Sequence, residues 1–192
     1  LQGGTATADV YSVGPEVGSG TSRITIGGVT QTVNFQNLEP VLDLVAGPLA
    51  VNATGSDNAI DYRQGSVAAN GLVSVDGFEV VEFSNKTSLT LNAGAGNDVV
   101  NINNASIPTG LAGITVNGGS STTGDKLVVN GTAAPNAIGF LPTAADAGSV
   151  TITGLPTVTF ATTESVVING QGGDDDLTVT TPSGADTVTY TP

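Results

Sequence analysis

A strand–turn–strand motif occurs three times in this sequence and constrains the fold more than any other feature. The copies span residues 88–103, 114–130 and 165–179. Each has two apolar residues spaced by two, a glycine-rich turn ending in aspartate, and two further apolar residues spaced by two. A period of two places alternate side chains on one face of a strand, and glycine allows the positive φ angles of a tight turn. The motif therefore predicts pairs of short β-strands with one buried face.

Longer repeats surround these motifs and indicate how the chain is organised. Residues 73–102 match residues 150–179 at an offset of 77 positions, and a shorter copy, residues 24–44, opens the chain. Extended matches at one offset are typical of repeat proteins. We predict a single domain over 1–192, built of internal repeats at about 8–57, 58–135 and 136–192.

The spacing of the motif favours one all-β architecture. The 27 glycines and the lack of a helical apolar period indicate many short strands. The motif beginning at Leu89 recurs 25 residues later at Ile114, as expected if equivalent strands stack on each other. We predict a parallel β-helix, or β-solenoid, with rungs of about 25 residues. An antiparallel β-sandwich is the alternative, because Asn-Gly and Asp-Gly pairs also form hairpin turns.

Composition excludes several classes of function and partner. The chain has no cysteine, histidine, methionine or tryptophan, so thiol chemistry, an imidazole base, zinc and haem are not expected. The net charge of −13 argues against nucleic acid and favours cations as counter-species. No apolar segment reaches 18 residues, so a membrane-spanning helix is not expected. The first residue is Leu1, from which we expect a processed or excised segment.

Two of the turns resemble a known calcium-binding repeat. Residues 93–101, AGAGNDVVN, are similar through Gly94, Gly96 and Asp98 to the nonapeptide GGxGxDxUx of the RTX, or haemolysin-type, family. Residues 169–177, NGQGGDDDL, are similar more loosely. RTX nonapeptides run in tandem, whereas these turns stand apart.

The resemblance implies Ca²⁺ bound by carboxylates and turn carbonyls between stacked rungs, and oxygen ligands suit this ion. Asp98 and Asp125 are expected on neighbouring rungs, where a shared ion would relieve their repulsion. The simpler alternative is that aspartate only forms the turn. The candidate metal-site residues are Gly94, Gly96, Asn97, Asp98, Asp125, Gly172, Asp174, Asp175 and Asp176.

The acidic triplet 174–176 also raises the question of catalysis. Paired carboxylates serve in β-helical glycoside hydrolases, but enzymes of the polygalacturonase kind also use histidine, arginine and lysine motifs. This chain has no histidine and no arginine after Arg63. We therefore predict no enzymatic activity and no catalytic residue.

The whole chain also resembles long, acidic, repeat-rich extracellular proteins of bacteria. The resemblance implies a structural or adhesive segment of a secreted or cell-surface protein, stabilised by Ca²⁺ and self-associating into filaments or a surface layer. A carbohydrate-binding module, with glycans as partners, and a β-helical polysaccharide-degrading enzyme are the alternatives. We also expect Phe83 and Phe160 to point inward at equivalent positions, and a last strand at residues 187–190 to begin a new repeat at an open end.

Overall fold

The computed structural model describes residues 3–183, 187 and 189, and within these residues it is entirely β, without a helix. The described strands are β1 (Ala8–Val13), β2 (Ser19–Ile26), β3 (Val29–Gln36), β4 (Val41–Asp43), β5 (Gly47–Asn52), β6 (Ala59–Gln64), β7 (Gly71–Val75), β8 (Val81–Phe83), β9 (Lys86–Asn92), β10 (Val99–Asn103), β11 (Gly113–Asn117), β12 (Lys126–Asn130), β13 (Ala137–Ala144), β14 (Ala147–Ile152), β15 (Thr157–Ala161), β16 (Ser165–Asn169) and β17 (Asp176–Val179). Of the predicted strand at 187–190, residues 188 and 190 lie outside the described residues. No described element is a helix that could cross a membrane.

The described strands form two sheets that share one apolar core. The ten-stranded sheet has the order β17-β13-β14-β15-β11-β9-β5-β1-β2-β3, and the seven-stranded sheet has the order β16-β12-β10-β6-β7-β8-β4. Alternating side chains of both sheets, such as Leu49, Leu89 and Leu127, pack into the same buried cluster. Burial of these apolar side chains is the main stabilising contribution to the fold.

Parallel pairing along the middle of each sheet identifies the architecture. Strands β1, β5, β9, β11 and β15 pair in parallel in the ten-stranded sheet. Strands β6, β10, β12 and β16 do the same in the seven-stranded sheet. The chain passes from one sheet to the other at each turn, so successive passes stack on each other. The predicted parallel β-solenoid is therefore confirmed.

The rungs are less uniform than the sequence spacing suggested. Asn92 and Asn117, stacked on neighbouring rungs, are 25 residues apart, as predicted. Asn52 and Asn92 are 40 residues apart, and Thr115 and Thr159 are 44 apart. The longer rungs contain extra antiparallel strands, since β6-β7-β8 and β13-β14-β15 are meanders inserted into the coil.

Equivalent strands of the 77-residue repeat lie in opposite sheets. Strand β9 is in the ten-stranded sheet, whereas its sequence counterpart β16 is in the seven-stranded sheet. The chain crosses between the sheets five times from β6 to β13, and an odd number of crossings exchanges the sheets. Residues 165–179 therefore do not continue the 25-residue step that relates Leu89 to Ile114. Val166 pairs instead with Leu127, and Ile114 pairs with Val158.

Strands β1-β2-β3 form a third meander, and each of the three meanders holds two stacked aromatic rings beside a glycine of its middle strand. Tyr62 stacks on Phe83 with ring centroids 6.2 Å apart, and both rings lie against Gly71, where a Cβ atom would collide with Phe83. Tyr11 likewise stacks on Phe35, which lies against Gly20, and Phe140 stacks on Phe160, which lies against Gly148. Rings that cover a strand glycine restore the packing that the missing side chain removes. Phe83 and Phe160 are buried as predicted, at equivalent positions but in opposite sheets.

Ladders of asparagine side chains follow the ends of the parallel strands. The Asn117 amide donates to Asn92 Oδ1 at 2.7 Å, and the Asn92 amide donates to Asn52 Oδ1 at 2.7 Å. A second ladder in the seven-stranded sheet joins Asn169, Asn130 and Asn101. These bonds satisfy partly buried amides from rung to rung, and this fixes the register of the stack.

Candidate functional site

The turns that connect the two sheets lie along two edges of the solenoid. The chain passes from the ten-stranded to the seven-stranded sheet through the first edge, at residues 37–40, 53–58, 93–98, 118–125 and 162–164. It returns through the second edge, at residues 44–46, 84–85, 104–112, 131–136 and 170–175. The two RTX-like turns therefore lie on different edges.

Carboxylates on the first edge bind backbone N–H groups of the neighbouring rung. Asn58 N–H donates to Asp98 Oδ1 at 2.7 Å, Asp98 N–H donates to Asp125 Oδ1 at 2.7 Å, and Asp125 N–H donates to Glu164 Oε2 at 2.6 Å. We call Asp98, Asp125 and Glu164 the carboxylate ladder. Each member caps the strand start on the adjacent rung, because a turn leaves that N–H group without a strand partner.

The inner part of the carboxylate ladder is desolvated. Asp98 and Asp125 are almost completely buried, and the second oxygen of each, Oδ2, has no hydrogen-bond partner. Burial raises the pKa of Asp98 to about 6, an effect that the N–H of Asn58 opposes and the nearby Asp125 charge reinforces. At the exposed end, the Asp125 N–H holds the pKa of Glu164 below its ordinary value.

The glycines and the asparagine of the first RTX-like turn have structural roles. Gly94 and Gly96 have φ of 104° and 129°, and a Cβ atom at either would collide with backbone of residues 54–57 on the next rung. Glycine is therefore required at both positions. Asn97 Oδ1 accepts the N–H of Thr123 at 2.8 Å and that of Thr122 at 3.2 Å, which closes the neighbouring turn.

The acidic triplet lies on the second edge, away from the carboxylate ladder. Asp175 Oδ1 accepts the N–H of Asn136 at 2.8 Å and so repeats the capping arrangement there. Asp174 and Asp176 are exposed, as is Gly172, around which an added Cβ would meet open space. The structure thus brings together Asp98 and Asp125, as predicted, with Gly94, Gly96 and Asn97 in the same pair of turns. Gly172 and the acidic triplet 174–176 lie on the other edge.

The donor set can be compared with what Ca²⁺ requires. The ion takes six to eight oxygen ligands, and within the ranges that the structure describes no three acidic side chains gather as a metal-binding group. Asp98 and Asp125 contribute one unpaired buried oxygen each, while their other oxygens accept N–H groups. Calcium binding stays a prediction, and it depends on these two oxygens.

A second polar cluster, which the sequence reasoning missed, surrounds a buried lysine. Lys86, the first residue of β9, has a fully buried side chain. Its Nζ lies 2.6 Å from Asp9 Oδ2 and 3.1 Å from Asp43 Oδ2, and it donates to the carbonyl oxygen of Val45 at 2.7 Å. The sequence signal was weak: Lys86 is one of only two lysines, and its partners are distant in the chain.

Comparisons with known proteins assign no family to the chain. No protein-family model matches the sequence, and neither the curated proteins nor the solved structures gave a significant match.

Proposed function

We propose that the chain is a structural segment of a bacterial extracellular or cell-surface protein, and that it stacks end to end with further copies or repeats. The acidic, repeat-rich composition supports the location. The stacking is inferred from the exposed apolar side chains of the last described strand, β17, and this observation carries the proposal.

The last described strand exposes apolar side chains at positions whose partners on the neighbouring strand face the core. Leu177 of β17 is in register with Ile138 of β13, and Val179 is in register with Phe140. Ile138 is buried, whereas Leu177 is 57% exposed and Val179 is 42% exposed. The ten-stranded sheet continues through β14 and β13 to β17, while the seven-stranded sheet ends at β16. These exposed apolar side chains do not contribute the stabilising free energy that buried ones do, and an exposed apolar patch of this kind is typical of an interaction surface.

The opposite end of the stack has a different surface. Strand β3 is an edge strand, and Val29 and Val33 on it are exposed. Edge strands can pair with another chain. Since the β3 end and the β17 end are unlike, contact between them is heterologous and propagates as a filament unless it closes into a ring.

Charge sets the conditions for this association. A net charge of −13 makes two copies repel each other, and salt screens that repulsion over about 10 Å at 0.1 M. Self-association is therefore expected to strengthen as sodium chloride is raised.

Sedimentation velocity of the chain across a range of concentrations tests the proposal. We expect the weight-average sedimentation coefficient to rise with concentration, more steeply at high salt. Leu177→Lys should abolish the rise, because it places a charge on the exposed end of the core. Val99→Lys is the matched control, since Val99 is 42% exposed on β10 in the middle of a sheet.

A monomer that stays monodisperse at high concentration and high salt would refute end-to-end stacking. So would an equal loss of association in both lysine variants, because the loss would then not depend on the exposed end of the core.

A further inference from the structure

The environment of Lys86 is unusual for an ion pair. One ammonium group meets two carboxylates in a site closed to solvent, where Lys86, Asp9 and Asp43 are all at most 2% exposed. Buried ion pairs give little net stability relative to apolar residues of similar size. Asp9 Oδ1 is also buried without a hydrogen-bond partner. Stability alone therefore does not account for this cluster.

The protonation of Asp9 changes the chemistry available to the cluster. Burial, reinforced by the adjacent Asp43 carboxyl, raises the pKa of Asp9 to about 7. The Lys86 ammonium opposes this rise in the pKa but does not cancel it. Below about pH 7 the Asp9 carboxyl is therefore largely protonated, and its Oδ1 is buried without a hydrogen-bond partner. Asp43 has a more polar setting, because its Oδ1 accepts the N–H of Val45 at 3.0 Å.

We propose that Lys86 and Asp9 condense to an intramolecular amide, an isopeptide bond, and that Asp43 accepts the proton that the Lys86 ammonium must lose. The Nζ–Oδ2 distance of 2.6 Å places the amine roughly 3 to 4 Å from the Asp9 carboxyl carbon, close to the separation of a near-attack arrangement.

The reaction balances within these three side chains. Asp43 takes a proton from the Lys86 ammonium. The lone electron pair of the resulting neutral amine then attacks Cγ of protonated Asp9. A C–N bond forms, the C–OH bond breaks, and the hydroxyl leaves as water with a proton from the nitrogen. The products are a neutral amide, one water molecule and protonated Asp43. No oxidant, metal or other reactant is needed.

The surroundings favour condensation over the reverse reaction. Ala6, Ile24 and Val45 form a small buried apolar cluster in the same segments, and exclusion of water disfavours hydrolysis of the product. The bond would join β1 to β9 across 77 residues of chain. It would therefore link the first parallel strand covalently to a strand two positions along the ten-stranded sheet.

Intact mass of the purified, folded protein under denaturing conditions tests the proposal. We expect a mass lower than the sequence mass by one water molecule, and a digest containing one branched peptide that joins Asp9 to Lys86. Amine labelling in denaturant should modify Lys126 but not Lys86.

Three variants test whether the loss of water depends on Lys86 and Asp43. Lys126→Arg should keep the loss of water, whereas Lys86→Arg should show the full sequence mass. Asp43→Asn keeps both reacting groups and should slow or abolish the loss. The wild-type measurement does not depend on whether these variants fold. A full sequence mass with both lysines reactive overturns the proposal, and a branch to Asp43 overturns the assignment of Asp9.

Discussion

Replacement of Asp98 by asparagine isolates the cost of a buried charge in the carboxylate ladder. Asp98 Oδ1 accepts the N–H of Asn58, and its Oδ2 is buried without a partner. Asparagine keeps an acceptor for that N–H, has nearly the same shape, and does not ionise. Asp98→Asn therefore changes the charge of the turn more than its geometry.

The pKa of Asp98 gives the sign and size of the effect. Burial raises this pKa from its ordinary 3.8 to about 6, so between these values the folded protein holds a proton that the unfolded chain releases. Stability is then lost as pH rises from about 4 to about 6. One pKa unit corresponds to about 1.4 kcal/mol, so ionised Asp98 costs the folded state about 3 kcal/mol at pH 7.

Thermal unfolding of both proteins at pH 4 and pH 7.5 provides the assay. We expect the stability of Asp98→Asn relative to wild type to improve by about 2.5 kcal/mol between these pH values, which is roughly 5 to 10 °C in Tm for a chain of this size. Asp174→Asn removes a charge from an exposed turn and is the control. A difference between Asp98→Asn and wild type that is the same at both pH values would contradict this reasoning.

Three further predictions concern cations, the core and the turn backbone. If Ca²⁺ binds the unpaired oxygens of the carboxylate ladder, EDTA should lower Tm at pH 7.5 and Asp98→Asn should remove the response. An unchanged melting curve across millimolar Ca²⁺ would leave Asp98 as a turn and capping residue only. Phe83→Ala should cost about 3 to 5 kcal/mol in urea unfolding, because it empties a fully buried site, and Phe78→Ala, at a partly buried ring, should cost less. Gly94→Ala should lower stability by at least about 1 to 3 kcal/mol through its positive φ and backbone collision, whereas Gly77→Ala, with open space around it, should change it by less than about 1 kcal/mol; equal effects at the two glycines would refute this.

The sequence was sufficient to predict the features that depend on local pattern. Strands such as β9 and β10 follow from apolar alternation around the Gly94 turn, and the 25-residue step from Leu89 to Ile114 is a real parallel pair. The adjacency of Asp98 and Asp125 followed from the same step. These features were accessible because stacked rungs repeat similar side chains at similar spacing.

Features that depend on distant segments could not be predicted in this way. Residues 88–103 and 165–179 are similar in sequence, yet their strands occupy the two sheets in opposite order. Sequence similarity does not show how many times the chain passes between the two sheets from one copy to the next. From the sequence alone, Lys86 would be expected on the surface. It is buried because the fold brings Asp9, 77 positions away, and Asp43 to its ammonium group. The capping role of Asp98 likewise depends on Asn58, 40 residues earlier.

Cysteine cross-linking between the two ends of the stack tests the structural proposal most directly, because the chain has no cysteine of its own. Val33→Cys on β3 and Leu177→Cys on β17 would be combined in one protein and oxidised at high salt. Head-to-tail stacking predicts a ladder of covalent multimers from the double variant, and nothing larger than dimers from either single variant. A double variant that gives only monomers, or no more than the single variants give, would contradict the account.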